Sequence, residues 1–407
     1  MNSSKIMEIF DKTAYVRTGG SPEELKTARY LCQQIENFGV QAHLESFEVQ
    51  MGEIEEADLI VGGISIPCEG YRCAGSAEVE APFYYLTGKD PYSLSQCRGK
   101  IVLVDGYLGY WIYQDLLANG AAGFITYSGN VNYTDRDIDR RELRAMVHKG
   151  NKIPGVNINA KSAISLVKNR PETVKIILKQ KEYVAESHNV VLDLPGETDE
   201  VVLLSAHYDS TPLSVGTYDN MSGSVGLLAL AEHFAAAPHR YSMRFVWCGS
   251  EERGLLGSKA YCQQHEQELQ KVVLNINLDM IGSIMGKFIC CATAEDALWQ
   301  YVSYLGCELG FGVTGSQGVY SSDSTPFADK GVPSMSLARD AASNVATIHD
   351  RYDTVAVMSG PQMEEDIAFI QAFVERMVNA KCCPVKREIP ENMKEKLDYY
   401  LCRKREK

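Results

Sequence analysis

Apolar and polar positions along the chain follow two periods, and the switches between them outline the predicted elements. Residues 21–38 (SPEELKTARYLCQQIENF) place Ala28, Leu31, Cys32 and Ile35 on one face at helical spacing. Ser21 can cap this helix, Pro22 suits its first turn, Glu24 completes a capping box and Gly39 ends it. Residues 40–49 (VQAHLESFEV) alternate as a strand does. From about 54 to 183 short β-like runs dominate, at 81–86, 100–105, 123–127 and 174–178. Beyond Ser187 longer apolar runs return. Those at 190–194 and 201–206 flank the turn-like Pro195-Gly196-Glu197 and predict a pair of strands. Runs at 243–248, 272–278 and 334–338 predict further strands, and 222–237, 294–309 and 362–380 predict helices. The pattern is α/β: a mixed, mostly parallel sheet flanked by helices, with a smaller β-rich α/β insert. Domain bounds fall at 1–53 with 184–383, and at 54–183. The mostly charged tail 384–407 reads as a solvated helix with no assigned function.

Composition narrows the class. A chain of 407 residues suits two or three domains, and 45% hydrophobic with 23% charged residues is ordinary for a globular protein. A net charge of −13 argues against nucleic acid or an anionic membrane as partner. No run approaches the ~18–20 apolar residues of a membrane span, and the first twenty residues lack the apolar core of a signal peptide. The 12 cysteines include no C-x-x-C pair, so reduced thiols are expected, and with them a cytoplasmic location. His148, set among charges, is expected at the surface.

Candidate chemistry gathers where apolar runs stop. In an open α/β sheet, ligands bind beyond the carboxyl ends of the strands. His207, Asp219, Glu252, Asp279 and His349 follow apolar runs or lie in loops beyond them, spaced by 12, 33, 27 and 70 residues. Successive strand-loop-helix units bring such positions to one edge. Imidazoles with carboxylates and no thiolate favour zinc, and cobalt or manganese would also fit. Two imidazoles and three carboxylates exceed one tetrahedral site with an open position. They suit two ions sharing a bridging carboxylate. A serine nucleophile is excluded at Ser250, because Cys248-Gly249-Ser250-Glu251 is not a G-x-S-x-G elbow.

These stretches resemble peptidase family M28, the co-catalytic metallo-aminopeptidases. The resemblance rests on His207-Tyr208-Asp209, Asp219-Asn220, Glu251-Glu252-Arg253-Gly254-Leu255, Asn277-Leu278-Asp279-Met280, Ser322-Asp323-Ser324-Thr325-Pro326-Phe327 and His349. It implies a zinc-exopeptidase fold and two divalent ions, most simply Zn2+. Asp219 would be the bridge, His207 with Asp279 would hold one ion, and Glu252 with His349 the other. Glu251 would be the general base, and Asp209 would orient His207. The Asp219–Asn220 peptide bond would be cis. Asp353 is expected to orient His349, and Tyr320 and Asp323 to reach the substrate pocket. The implied activity is hydrolysis of N-terminal residues from peptides with a free N-terminus. Two alternatives stay open: a related two-metal carboxypeptidase or dipeptidase, and an inactive receptor-like binding protein. Homo-oligomerisation is also left open. Within 54–183, Gly99 to Asp105, Asn119 to Ile125 and Ile153-Pro154-Gly155-Val156 resemble a protease-associated (PA) domain.

Overall fold

Every residue from 202 to 207 is buried, as a strand covered on both faces requires. The computed structural model describes all residues except 107, 132–137 and 406–407, so the 54–183 insert and the tail each include positions outside that set. Two compact units emerge, Met1–Val49 with Glu186–Lys407, and Gln50–Ala185.

Among the described residues, seven strands lie along one hydrogen-bonded path in the larger unit: β1 (Thr173–Leu194, from residue 186 onward), β2 (Thr198–His207), β3 (Tyr241–Cys248), β4 (Val272–Leu278), β5 (Lys287–Thr293), β6 (Val313–Gln317) and β7 (Ser334–Asp340); off that path, the strand His43–Val61 pairs with Thr173–Leu194. Their order is β6-β5-β7-β4-β2-β3-β1. β7, β4, β2 and β3 are mutually parallel, β5 and β6 are parallel, and β1 and β5 join β3 and β7 antiparallel. The mixed, mostly parallel sheet is as the sequence predicts. One pairing differs. The runs on either side of Pro195-Gly196-Glu197 are not partners, because β3 lies between them. The Glu197 N–H donates to the Arg240 carbonyl and the Gly196 N–H to Ser242 Oγ, so the turn steps over β3 instead of closing a hairpin. Alternation specifies a strand's faces but not its neighbour.

Side chains divide by parity along the central strands. Val202, Leu204 and Ala206 join one core with Ile6 and Phe10 of α1 (Ser3–Thr13), Leu31 of α2 (Pro22–Glu36), α3 (Ser222–Ala236), Val302 of α5 (Asp296–Leu309) and Phe373 of α7 (Gly360–Val378). Leu203 and Val246 face the opposite layer, where Tyr261 of α4 (Leu256–Gln264) and Phe327 of α6 (Ser324–Asp329) pack. The tail is not the solvated helix expected. α8 (Glu391–Tyr400) buries Met393 and Leu397 against Ala328 of α6, and Arg403 clamps Asp329 at 2.6 and 2.7 Å. Its charges occupy the outer face, and two apolar side chains suffice to dock it.

The smaller unit carries its own core around Ile101, Leu103, Phe124, Ile125 and Val156. Its sheet runs Thr173–Leu194 (up to residue 185), Ala77–Leu86, Ile101–Val104, Gly123–Ser128, Gly155–Asn159, Cys68–Gly70, with helices at Tyr110–Ala118 and Ala160–Asn169. His148 is buried rather than exposed, and its Nδ1 accepts the Gly150 N–H, so burial lowers its pKa. Among the described residues no helix is long and apolar enough to cross a membrane.

Candidate metal centre

Parallel pairing sets the strand ends side by side. His207 closes β2 opposite Cys248 of β3, three residues before Glu251, and Asn277 pairs with Ser205, two residues before Asp279. Asp279 is held at the β4 end by its N–H donating to the Leu337 carbonyl. His349 arrives from the loop after β7 in a left-handed conformation, φ +61°. Ser250 (φ +53°) and Met280 (φ +63°) share that rarely populated region. Non-glycine residues are rare there, and such positions cluster where surrounding structure dictates side-chain aim.

Among the described residues two groups of three have metal-competent atoms mutually within 4.8 Å: His207, Asp219 and Asp279, and Asp219, Glu252 and His349. Asp219 belongs to both. Its Oδ1 is 3.2 Å from His207 Nε2, and its Oδ2 is 3.1 Å from His349 Nε2. His349 Nε2 also lies 3.1 Å from Glu252, and His207 Nε2 lies 3.7 Å from Asp279 and 4.0 Å from Glu251. The Asp219–Asn220 peptide bond is cis.

The donor set fits divalent cations. Asp209, Asp219 and Asp279 are all buried, with Glu251 and Glu252 at 11% and 6% side-chain exposure. These five carboxylates outnumber the two imidazoles. Buried anions in surplus are costly unless cations compensate them. Asp279 Oδ1 is buried without a hydrogen-bond partner, a ligand atom ready for an ion. The surplus polarises every group present. Burial pulls the His207 imidazole down, yet Glu251, Asp209, Asp219 and Asp279 hold its pKa well above the usual range. His349 is pushed up to about 12, the charges of Glu252 and Asp219 overcoming burial. Burial would raise Asp219, but the two imidazoles bring it below the carboxylate range. Glu251 is raised by burial and by neighbouring carboxylates, Glu252 first among them.

The surrounding shell combines residues singled out in the sequence, Asp209, Asp353, Asp323 and Tyr320, with two given no role there, Arg17 and Asn220. Asp209 Oδ1 lies 3.4 Å from His207 Nδ1, and its two oxygens also accept the N–H groups of Glu251 (3.0 Å) and Glu252 (3.2 Å). Asp353 does not orient His349 through a hydrogen bond. Its oxygens accept the N–H groups of Tyr218 (2.7 Å) and Asp219 (3.0 Å), fixing the bridge from behind. Asn220 Nδ2 donates to the Leu278 carbonyl, and its Oδ1 accepts the N–H groups of Met280 and Gly223, all at 2.9 Å. It therefore ties the Asp219 loop to the backbone on both sides of Asp279. Arg17, fully buried, donates to the carbonyls of Tyr208, Val215 and Gly216 under the loop between His207 and Asp219. Asp323, expected at the substrate pocket, is fully buried and accepts the Ser258 hydroxyl at 2.5 Å. Tyr320 is half-buried, its hydroxyl pKa raised by burial and then by the charge of Asp279.

Fold and donor set together define an α/β protein with a candidate centre for divalent cations at the carboxyl ends of its parallel strands. Residues 189–373 match the model of peptidase family M28. It is 26% identical to aminopeptidase YwaD of Bacillus subtilis (strain 168) over 351 residues, 82% of this chain and 70% of that protein. Leucine aminopeptidase 2 of Arthroderma otae is 35% identical over 194 residues, 46% of this chain and 38% of the relative. Among solved structures, BSAP, a zinc aminopeptidase from Bacillus subtilis, superposes with a TM-score of 0.77 at 23% identity, covering 96% of this chain and 98% of that one. The aminopeptidase from Aneurinibacillus sp. strain AM-1 gives 0.78 at 20% identity, covering 95% and 96%. At these identities the two structures show a shared fold.

Proposed function

We propose that the protein is an aminopeptidase that uses two zinc ions to hydrolyse the first peptide bond of substrates with a free N-terminus. The observation that carries this reading is Asp219, whose two oxygens face His207 on one side and His349 on the other. His207 and Asp279 would hold one ion and Glu252 and His349 the second, with Asp219 shared. Bound divalent ions supply Lewis acidity, acidifying a water and polarising the scissile carbonyl.

The chain's own residues do the rest. Glu251 sits beside the cluster with its proton affinity raised by burial, which suits a general base. It takes a proton from the attacking water and returns it to the leaving amine nitrogen, so no net proton is consumed. Asp209, 3.4 Å from His207 Nδ1, would orient that ring, and its oxygens hold the backbone of Glu251 and Glu252. The carboxylate surplus also attracts the substrate's α-ammonium, which selects chain termini over internal bonds. Tyr320, whose hydroxyl senses the charges of Asp279 and Asp219, would reach the substrate, whereas Asp323 is buried against Ser258.

The catalytic domain comprises 1–53 and 184–383, with the PA-like insert at 54–183. The separate core of the smaller unit supports that division. The twelve cysteines are free thiols, and the cytoplasm is the proposed location. The test pairs an aminoacyl-anilide with its N-acetylated counterpart, alongside metal analysis. Turnover of the free amine only, two ions per chain and a large fall in turnover to a measurable residue in Glu251→Ala are expected. Equal cleavage of the blocked substrate would refute the aminopeptidase reading, and so would full activity of Glu251→Ala.

A further inference from the structure

The turn bearing Glu251 is gripped by a second buried carboxylate, from a part of the chain that precedes the family match. Glu24, in the first turn of α2, is fully buried. Its Oε1 accepts the Ser250 N–H at 2.9 Å and the Ser187 hydroxyl at 2.7 Å, and its Oε2 accepts the Gly20 N–H at 2.7 Å. Asp209 takes the next two amides, those of Glu251 and Glu252. Three successive backbone N–H groups, 250 to 252, thus point into two buried carboxylates. Helix capping alone does not account for Glu24. The α2 cap is Ser21, whose side chain accepts the Glu24 N–H, while the Glu24 carboxylate reaches a turn 226 residues away. The fit is close: a Cβ on Gly19 would lie 2.1 Å from Ser250 Oγ. Ser250 itself holds φ +53° immediately before Glu251. A side chain that must carry a proton from water to a leaving amine needs to swing about a base that does not shift.

We propose that Glu24 is a positioning residue for Glu251: with Asp209 it fixes the backbone of residues 250–252 and so sets where the Glu251 carboxylate meets the reacting water. The inference rests on Glu251 being the general base. The hydrogen bonds of the Glu24 carboxylate go to Gly20, Ser187 and Ser250 and to no candidate metal ligand's side chain, so its loss acts through the turn. A displacement of ~1 Å at a reacting group costs roughly 10²-fold.

The test measures kcat, KM and bound metal for Glu24→Ala, Glu24→Asp and Glu24→Gln in the full-length enzyme loaded with zinc. Glu24→Ala and Glu24→Asp should lose about 30–100-fold in kcat, with KM within about twofold and metal content unchanged. Glu24→Gln retains an oxygen for the Ser250 N–H and should recover most of that loss. If Glu24→Ala does not fold, as judged by circular dichroism, Glu24→Asp and Glu24→Gln carry the comparison. In a Glu251→Ala background, Glu24→Asp should cause no further fall, since groups acting as a unit are non-additive. Wild-type kcat in Glu24→Asp would overturn the inference, as would loss of metal or an equal further fall in the Glu251→Ala background. Full activity of Glu251→Ala would instead overturn the functional reading beneath it.

Discussion

Replacing Asn220 by alanine tests whether the two shared-site aspartates are held as one body. The Asn220 side chain is fully buried and makes three hydrogen bonds to backbone groups, to the Leu278 carbonyl, from the Met280 N–H and from the Gly223 N–H, besides a longer one from the Ser222 hydroxyl at 3.5 Å. Alanine leaves all three backbone groups without a partner where water does not reach. Each orphaned buried group costs ~1–3 kcal/mol. Partial relaxation places the sum at about 3–6 kcal/mol. That is a large share of the ~5–15 kcal/mol that stabilises a domain. Two of the lost bonds flank Asp279 and the residue itself follows Asp219, so the distance between those carboxylates loosens. Loss of comparable supporting bonds typically lowers metal affinity 10–100-fold. Guanidinium unfolding of the metal-free protein should show the lower midpoint, and competition with a chromophoric chelator should show the weaker zinc binding. A midpoint within 1 kcal/mol of wild type, together with unchanged affinity, would refute the tie between the two aspartates.

Three further outcomes follow from the same geometry. Because carboxylates hold His207 and His349 protonated, His349 up to about 12, each imidazole must release a proton to ligate, and zinc affinity should rise with pH through neutrality. Calorimetry in two buffers of different ionisation enthalpy measures those protons, and their absence would contradict the raised pKa values. Arg17→Met removes a guanidinium that donates to three carbonyls of the 208–216 loop and should cost about 2–5 kcal/mol while exposing the loop to limited proteolysis. Arg17→Lys should not rescue it, since an ammonium lacks the planar fork; wild-type protease resistance in either variant would count against the assignment. Met393→Ala should lower stability by about 2–4 kcal/mol, as for a buried core methionine, and a change under 0.5 kcal/mol would return α8 to solvent.

Much of the architecture was legible because burial writes itself into periodicity. The runs that became the buried parts of β2, β3 and β4 are mostly apolar on both faces, which is how a doubly covered strand reads, and their ends locate His207, Glu251 with Glu252, and Asp279. The sequence was silent on pairing: 190–194 and 201–206 looked like a hairpin, and nothing in either run reveals that β3 separates them. It also misjudged α8 and His148, since a charged or polar segment with two inward side chains resembles a wholly exposed one.

The residue types at the centre, their order and their place behind apolar runs were determined by the sequence alone, because ligand chemistry belongs to side chains and strand burial to composition. What Arg17, Glu24, Asn220 and Asp353 do was decided only by the tertiary structure. Each bonds to main-chain N–H or C=O groups of segments as far as 226 residues away. Backbone groups are the same at every non-proline residue, so no letter in the sequence marks which of them a buried side chain will meet.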